Sequence, residues 1–250
     1  MKSCRPVVLV HGAWHGAWCW ATLQAELDRR GVASHAIDLP GHGQNAAPIS
    51  EVTMEAYVNH VIETAKTIEG PIILVGHSLA GAVISQVGER IPERIERLVY
   101  VAASLPQNGE SVLGIMKSDA GGELLPKLVF SADQSYVTVE QDDVKSILLH
   151  DVKEPERLES LARKLDMKQA TEPFMAAIGL TDEAFGSIPK TYVRASLDKV
   201  MSTALQDRMI SAWKVDQVFT LESGHFPMMS MPDRFIEIIS EIAAGEPATV

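Results

Sequence analysis

The sequence predicts an α/β fold, with a six-stranded and mainly parallel sheet covered by helices on both faces. Three observations carry that prediction. Short runs of Val, Ile and Leu recur along the chain, amphipathic stretches of helical length separate them, and one long segment, 107–189, interrupts the alternation. Strands that are apolar throughout need cover on both faces. Helices placed between successive strands supply it through right-handed crossovers.

The elements follow in order. "VVLVH" (7–11) is the first strand, and a helix from about Trp18 to Arg30 follows it, stopped by Gly31. "VASHAI" (32–37) leads into the turn "DLPGHG" and a helix over roughly 53–67. "IILVG" (72–76) leads into a helix from about 79 to 90, and "RLVYVA" (97–102) is the fourth strand. The rhythm resumes with "KTYVRAS" (190–196), a helix near 203–213, "VDQVFTL" (215–221) and a last helix over about 232–244.

Between Gln107 and Pro189 the pattern is different. This stretch holds the loop-like "KSDAGGELLP", a strand around "SYVTVE" and a helix at 156–166. On that helix Leu158, Leu161, Ala162 and Leu165 share one apolar face at i, i+3, i+4 and i+7. A segment inserted after the fourth strand, without an obvious core of its own, is expected to cap one edge of the sheet. The expected organisation is a core from 1–106 and 190–250 with an inserted cap at 107–189.

Composition narrows the function. The 250 residues are 46% hydrophobic and 22% charged, with a formal net charge of −11 and no run of Lys or Arg. Phosphate-rich partners need clustered cations, so nucleic acid and anionic membranes are not expected partners, and a neutral or apolar small molecule fits better. Cys4 and Cys19 are the two cysteines, which do not make a disulfide framework. "MKSCRP" runs straight into a core-like strand, and no stretch of 18 apolar residues occurs. A cytoplasmic location is expected. Oligomeric state is open, a homodimer being one assembly the sequence allows.

The stretch "IILVGHSLAGAV" (72–83) carries the chemistry. Ligands of open parallel sheets bind beyond the carboxyl ends of the strands, and Ser78 sits just past such an end, at a strand-to-helix turn. A nucleophile on a sharp turn needs small neighbours where strand and helix converge, here Gly76, Ala80 and Gly81. The usual pattern is G-x-S-x-G; Ala80 fills its fifth position, with Gly81 behind it.

A serine hydroxyl needs a base, and the base needs an acid to orient it. Of eight histidines, His225 in "LESGHFPMMS" lies in the loop after the final strand, at the same sheet edge as Ser78. His35 falls in a strand, His60 in a helix and His150 in the cap. The loop after the fourth strand, "AASLP", has no carboxylate, whereas "SLDKV" after the fifth supplies Asp198; Asp216 opens a strand at the far edge. The expected oxyanion donors are the backbone N–H groups of Leu79, next to the nucleophile, and Ala13, in "HGAWHGAW" after the first strand.

These motifs together, "VVLVHGAWHGAWCW", "AIDLPGHG", "ILVGHSLAG", "SLDK" and "SGHFPMMSMP", resemble the α/β-hydrolase fold. Within it the chain is most similar to the group of plant methyl salicylate and methyl jasmonate esterases, plant hydroxynitrile lyases and small bacterial esterases. The resemblance spans nearly the whole chain and is weakest in the cap. It implies Ser78, His225 and Asp198 as catalytic triad, Ala13 and Leu79 as oxyanion hole, and a cap roofing an apolar pocket. It also implies a positional role for His11 and Gly12, and a structural turn at Asp38 and Gly41.

Pocket residues are expected among Gly12, Trp14, Leu124, Leu128, Phe130, Tyr136, Phe226 and Met228. Met229 joins them, with core packing the equal alternative for the methionines; for Trp14 and Trp18 buried packing is the commoner fate. The cyanohydrin-cleaving relatives carry Thr after the first-strand His and Lys after the catalytic His, positions held here by Gly12 and Phe226. Ester hydrolysis is therefore expected over cyanohydrin cleavage, with no cofactor and no metal. The alternatives are a C–C hydrolase or lyase using the same triad, or a small-molecule receptor that has kept it.

Overall fold

The computed structural model describes residues 4–165 and 167–245. The expected chain ends of the core and the last residue of the expected 156–166 helix lie outside the described residues.

Six strands form one parallel sheet in the order β2-β1-β3-β4-β8-β9. They are β1 (Val7–Val10), β2 (Ser34–Ile37), β3 (Ile72–His77), β4 (Ile95–Val101), β8 (Lys190–Ala195) and β9 (Gln217–Leu221). The central strands β1 and β3 are buried along their whole length, as uniformly apolar runs must be in a sheet covered on both faces. Of the edge strands, β9 alternates in burial and β2 is buried only at Ile37.

Two helix pairs provide the cover. Ala21–Arg29 packs beside Pro232–Ala244, and Met54–Lys66 beside Ala80–Arg90. The ring of Trp20, just before the first helix of the first pair, stacks on Phe235 of its partner, with centroids 6.2 Å apart. Thr53 caps Met54–Lys66 by accepting from the Ala56 N–H, which explains why that helix starts where it does. The helix expected from about Trp18 begins instead as a tight turn, Ala17–Trp20, before the α-helix Ala21–Arg29.

The interrupted segment contains more strand than its sequence suggests. A second, antiparallel sheet has the order β5-β6-β7, from β5 (Leu128–Phe130), β6 (Tyr136–Val139) and β7 (Gln169–Ala170). Only β6 is signalled by the sequence; β5 and β7 exist because they pair with it. The helix Pro155–Lys164 is present as well. Val137, Val139, Val144, Ile147 and Leu148 sit in the same hydrophobic cluster as the parallel sheet, so the two share one core.

Candidate active site

Ser78 follows β3 with φ at +55°, in the left-handed region that non-glycine residues rarely occupy. Backbone bonds hold it there. The Ser78 N–H donates to the Val101 carbonyl at 3.2 Å, and the Ser78 carbonyl accepts from Gly81 and Ser104, both at 3.0 Å. A Cβ on Gly81 would stand 2.1 Å from the Ser104 carbonyl oxygen, and one on Gly76 would stand 2.8 Å from that of Ala80. The strict requirement for glycine therefore falls on position 81, while position 80 accommodates a methyl group.

The loops after β8 and β9 run together beyond the sheet edge. Ser196 N–H donates to the Leu221 carbonyl and Leu197 N–H to the Ser223 carbonyl, each at 2.9 Å. This pairing brings Asp198 to His225. Asp198 Oδ2 lies 2.8 Å from His225 Nδ1, and His225 Nε2 lies 2.8 Å from Ser78 Oγ. The other Asp198 oxygen accepts from the Val200 and Met201 N–H groups at 2.7 and 3.1 Å. With the carboxylate accepting the Nδ1 proton, Nε2 keeps its lone pair toward the serine hydroxyl. Both members of the His–Asp pair have side chains almost wholly out of solvent.

The loop after β1 lies against Ser78. His11 donates from Nδ1 to the Gly12 carbonyl at 2.8 Å and accepts the Leu39 N–H on Nε2 at 3.1 Å, so it ties this loop to the turn after β2. Burial pushes the His11 imidazole well below its ordinary value and keeps it neutral, as those two bonds require. Asp38 holds the neighbouring turn by accepting from the Ala17 N–H at 2.6 Å and the Gln44 N–H at 3.0 Å. Among the described residues no protein acceptor takes the N–H of Ala13 or of Leu79.

The other sequence-nominated residues are distributed unevenly. Phe226, 1% exposed, packs its ring against His15, His77 and His225. Leu124 and Met228 are buried. Trp14 is buried and reaches up to the cap, donating from Nε1 to the Val137 carbonyl at 3.2 Å. Trp18 stacks on His15 with Lys164 Nζ over its ring. Leu128 and Phe130 line a recess on the cap with Leu113, Val137, Thr171, Phe174 and Met175, and Phe130 is 45% exposed. Strand alternation buries Val137 and Val139 and turns Tyr136 to the other face of β6, under Lys168 Nζ.

Four residues near the site were not anticipated. His77, the second residue of the Gly-His-Ser, donates from Nε2 to the His225 carbonyl at 2.8 Å and so ties the base loop to the serine turn. From the cap, Asp151 accepts the Gly224 N–H at 2.6 Å and His150 donates to the Leu197 carbonyl at 2.9 Å. Gln169 accepts from Trp14. All four hold backbone groups, which leave no side-chain signal in a sequence; Gln169 also bonds the His42 and Tyr57 side chains.

Among the described residues no three His, Cys, Asp or Glu side chains are grouped to hold a metal ion, and no helix is long and apolar enough to cross a membrane. A hydroxyl, an imidazole and a carboxylate in series, beside two uncommitted N–H groups, can move a proton off the hydroxyl and receive an anion nearby.

A model of the alpha/beta hydrolase family matches residues 7–238. A chloroplastic Arabidopsis thaliana protein provisionally named methylesterase 11 is 31% identical over 253 residues, covering 96% of this chain and 64% of the relative. The chain thus spans less than two thirds of that relative's length. The alpha-hydroxynitrile lyase of Arabidopsis thaliana is 30% identical over 258 residues, with 97% of this chain and 98% of the relative covered. The crystal structure of a pyrethroid hydrolase from Sphingobium faniae JZ-2 matches with a TM-score of 0.83 at 26% identity, over 96% of this chain and 97% of that one.

Proposed function

This chain belongs to the alpha/beta hydrolase family, and from that premise we propose that it hydrolyses carboxylic esters of small, largely apolar molecules through an acyl-enzyme on Ser78. One observation carries the reading: the unbroken relay from Ser78 Oγ through His225 to Asp198, with both links at 2.8 Å. Ser78 Oγ attacks the ester carbonyl carbon while its proton passes to His225 Nε2. The resulting oxyanion is received by the N–H groups of Leu79 and Ala13. Collapse expels the alkoxide, which leaves as the alcohol with the His225 proton; water then repeats the steps on the acyl-enzyme and frees the acid. Asp198 holds the imidazole in the required tautomer and balances its transient charge.

The relatives named as methylesterases support an ester as substrate, and the buried apolar side chains of Leu124, Phe226 and Met228 support an apolar one. Cyanohydrin cleavage, the reading suggested by the lyase relative, is disfavoured by Phe226. Its buried ring follows the base directly and offers no cation to a departing cyanide. A cytoplasmic location is part of the same proposal, supported by two cysteines that make no disulfide framework.

Purified protein should turn over p-nitrophenyl acetate or butyrate, and Ser78→Ala should lower kcat by roughly 10⁴- to 10⁶-fold while leaving the fold intact. Retained turnover in that variant would remove Ser78 from its role. An inert wild-type protein that still binds small apolar ligands would favour a receptor.

A further inference from the structure

Trp14 directly follows the proposed oxyanion donor Ala13, and its backbone sits in the left-handed region at φ +59°. A non-glycine residue holds that conformation only where its surroundings over-determine it. Here both restraints come from the cap. Trp14 Nε1 donates to the Val137 carbonyl at 3.2 Å, and the Trp14 N–H points at Gln169 Oε1 at 3.4 Å. Val137 and Gln169 are cross-strand partners in the β6–β7 pairing. One pair of cap residues thus grips Trp14 at its backbone and at the far end of its side chain.

Gln169 is 0% exposed, and both ends of its amide are committed. Oε1 faces the Trp14 N–H and lies 2.9 Å from His42 Nε2; the amide nitrogen donates to Tyr57 Oη at 3.1 Å and to the Ala170 carbonyl at 3.2 Å. Two backbone groups fix this orientation. Reversing the amide would set its NH₂ against the Trp14 N–H and its oxygen against the Ala170 carbonyl. His42 Nε2 must then carry a proton, which leaves Nδ1 to accept from the Tyr57 hydroxyl at 3.4 Å. The Pro40 carbonyl, 3.2 Å from Nδ1, is the partner a doubly protonated ring would take instead. Burial of His42 favours the neutral ring. Tyr57 therefore donates to His42, His42 to Gln169 and Gln169 to Tyr57, in a closed ring of buried hydrogen bonds.

The ring matters because of where it ends. The peptide plane joining Ala13 to Trp14 is held at its N–H by Gln169 and at its carbonyl by His15 Nδ1, 2.7 Å away. The plane before it, joining Gly12 to Ala13, is held at its carbonyl by His11, leaving the Ala13 N–H directed the opposite way. We propose that Gln169 is a positioning residue for the oxyanion hole. By holding the next peptide plane at the Trp14 N–H it works with His11 to fix the direction of the Ala13 N–H, so stabilisation of the transition state depends on the cap being seated on the core. This rests on the esterase reading above.

The test compares Gln169→Met, close in size and without hydrogen-bonding groups, with Gln169→Glu, which keeps both acceptor contacts. For p-nitrophenyl butyrate, Gln169→Met should lower kcat by roughly 10²-fold, the usual consequence of a misplaced catalytic group, with KM little changed. An alkyl trifluoromethyl ketone forms an oxyanion on Ser78, and its affinity should weaken by a similar factor. The matching methyl ketone, which stays planar, should bind as before. Gln169→Glu should recover part of the loss. Trp14→Phe, which removes the Nε1 donor together with part of the packed indole, should shift kcat and trifluoromethyl ketone affinity the same way by a smaller factor, and it carries the test if Gln169→Met does not fold. Folded variants with unchanged kcat and unchanged trifluoromethyl ketone affinity overturn the inference alone; an inert wild-type protein overturns the esterase reading with it.

Discussion

A Cβ placed on Gly12 would stand 2.8 Å from the Cβ of Ser78 and 2.9 Å from His77 Nδ1. The loop after β1 and the serine turn are therefore in contact at the one position where neither can spare a methyl group. Any side chain at position 12 has to lift this loop, and the Ala13 N–H moves with it. Gly12→Ala should accordingly lower kcat/KM for p-nitrophenyl butyrate by about 10²-fold, comparable to losing one oxyanion donor. Steady-state kinetics check this, and an unchanged kcat/KM would place the second donor elsewhere.

Position 81 predicts a stability effect. The Ser104 carbonyl oxygen lies 2.1 Å from where a Gly81 Cβ would be, and that carbonyl belongs to backbone already tied to the serine turn through the Ser104 N–H. Because the obstacle is backbone, relaxation must move the turn itself. Gly81→Ala should destabilise the protein by about 3 kcal/mol, at the upper end of overpacking costs. Urea unfolding should show a lower midpoint with an unchanged slope.

The elements legible in the sequence were those whose signal is local. β1, β3 and β4 announce themselves as apolar runs, and once they are placed the loops carrying Ser78, Asp198 and His225 fall at one sheet edge by topology alone. The cap resists reading because its order is non-local. β7 is two residues long, too short for any periodicity, and exists through its pairing with a strand more than thirty residues earlier in the chain. The face that Tyr136 presents is illegible because a strand's parity follows from which side meets the core, and Val137 and Val139 decide that only in the folded chain. The roles of His77, His150 and Asp151 are illegible for another reason: their partners are main-chain atoms, identical at every position, while Gln169 adds to its backbone contacts two side chains, His42 and Tyr57, more than a hundred residues away in the chain.

Four buried histidines make the protein sensitive to acid. Burial pushes His11, His15, His42 and His77 down, His15 to about 3, and among the described residues neither His15 Nε2 nor His77 Nδ1 has a partner for a second proton. The folded state keeps them neutral, while the unfolded chain takes up protons near the ordinary value of about 6.5. The unfolded state therefore binds more protons below that value, so stability falls as pH drops from about 6.5 toward 3. Each histidine contributes up to about 1.4 kcal/mol per pH unit in that window. Unfolding free energy measured at successive pH values should show this slope, and His15→Gln should reduce it by one proton's worth. A flat profile between pH 7 and 5 would contradict the assignment.

Asp151 reaches the base loop from the cap. Its carboxylate accepts the Gly224 N–H at 2.6 Å, one residue before His225, while the adjacent His150 grips the Leu197 carbonyl, one residue before Asp198. Asp151→Ala leaves the Gly224 N–H without that acceptor and loosens the loop that sets the distance from His225 to Ser78. Two other restraints persist: His77 still holds the His225 carbonyl, and the Leu197 N–H still holds Ser223. The loss should therefore be graded, about 10-fold in kcat with KM nearly constant, and Asp151→Asn, whose amide oxygen can accept the same N–H, should restore most of it. Pre-steady-state turnover of a p-nitrophenyl ester locates the defect in acylation. An Asp151→Ala protein as inactive as Ser78→Ala would instead give this carboxylate a part in the chemistry, because losing one of three restraints on a loop cannot abolish a reaction that the other two still hold in place.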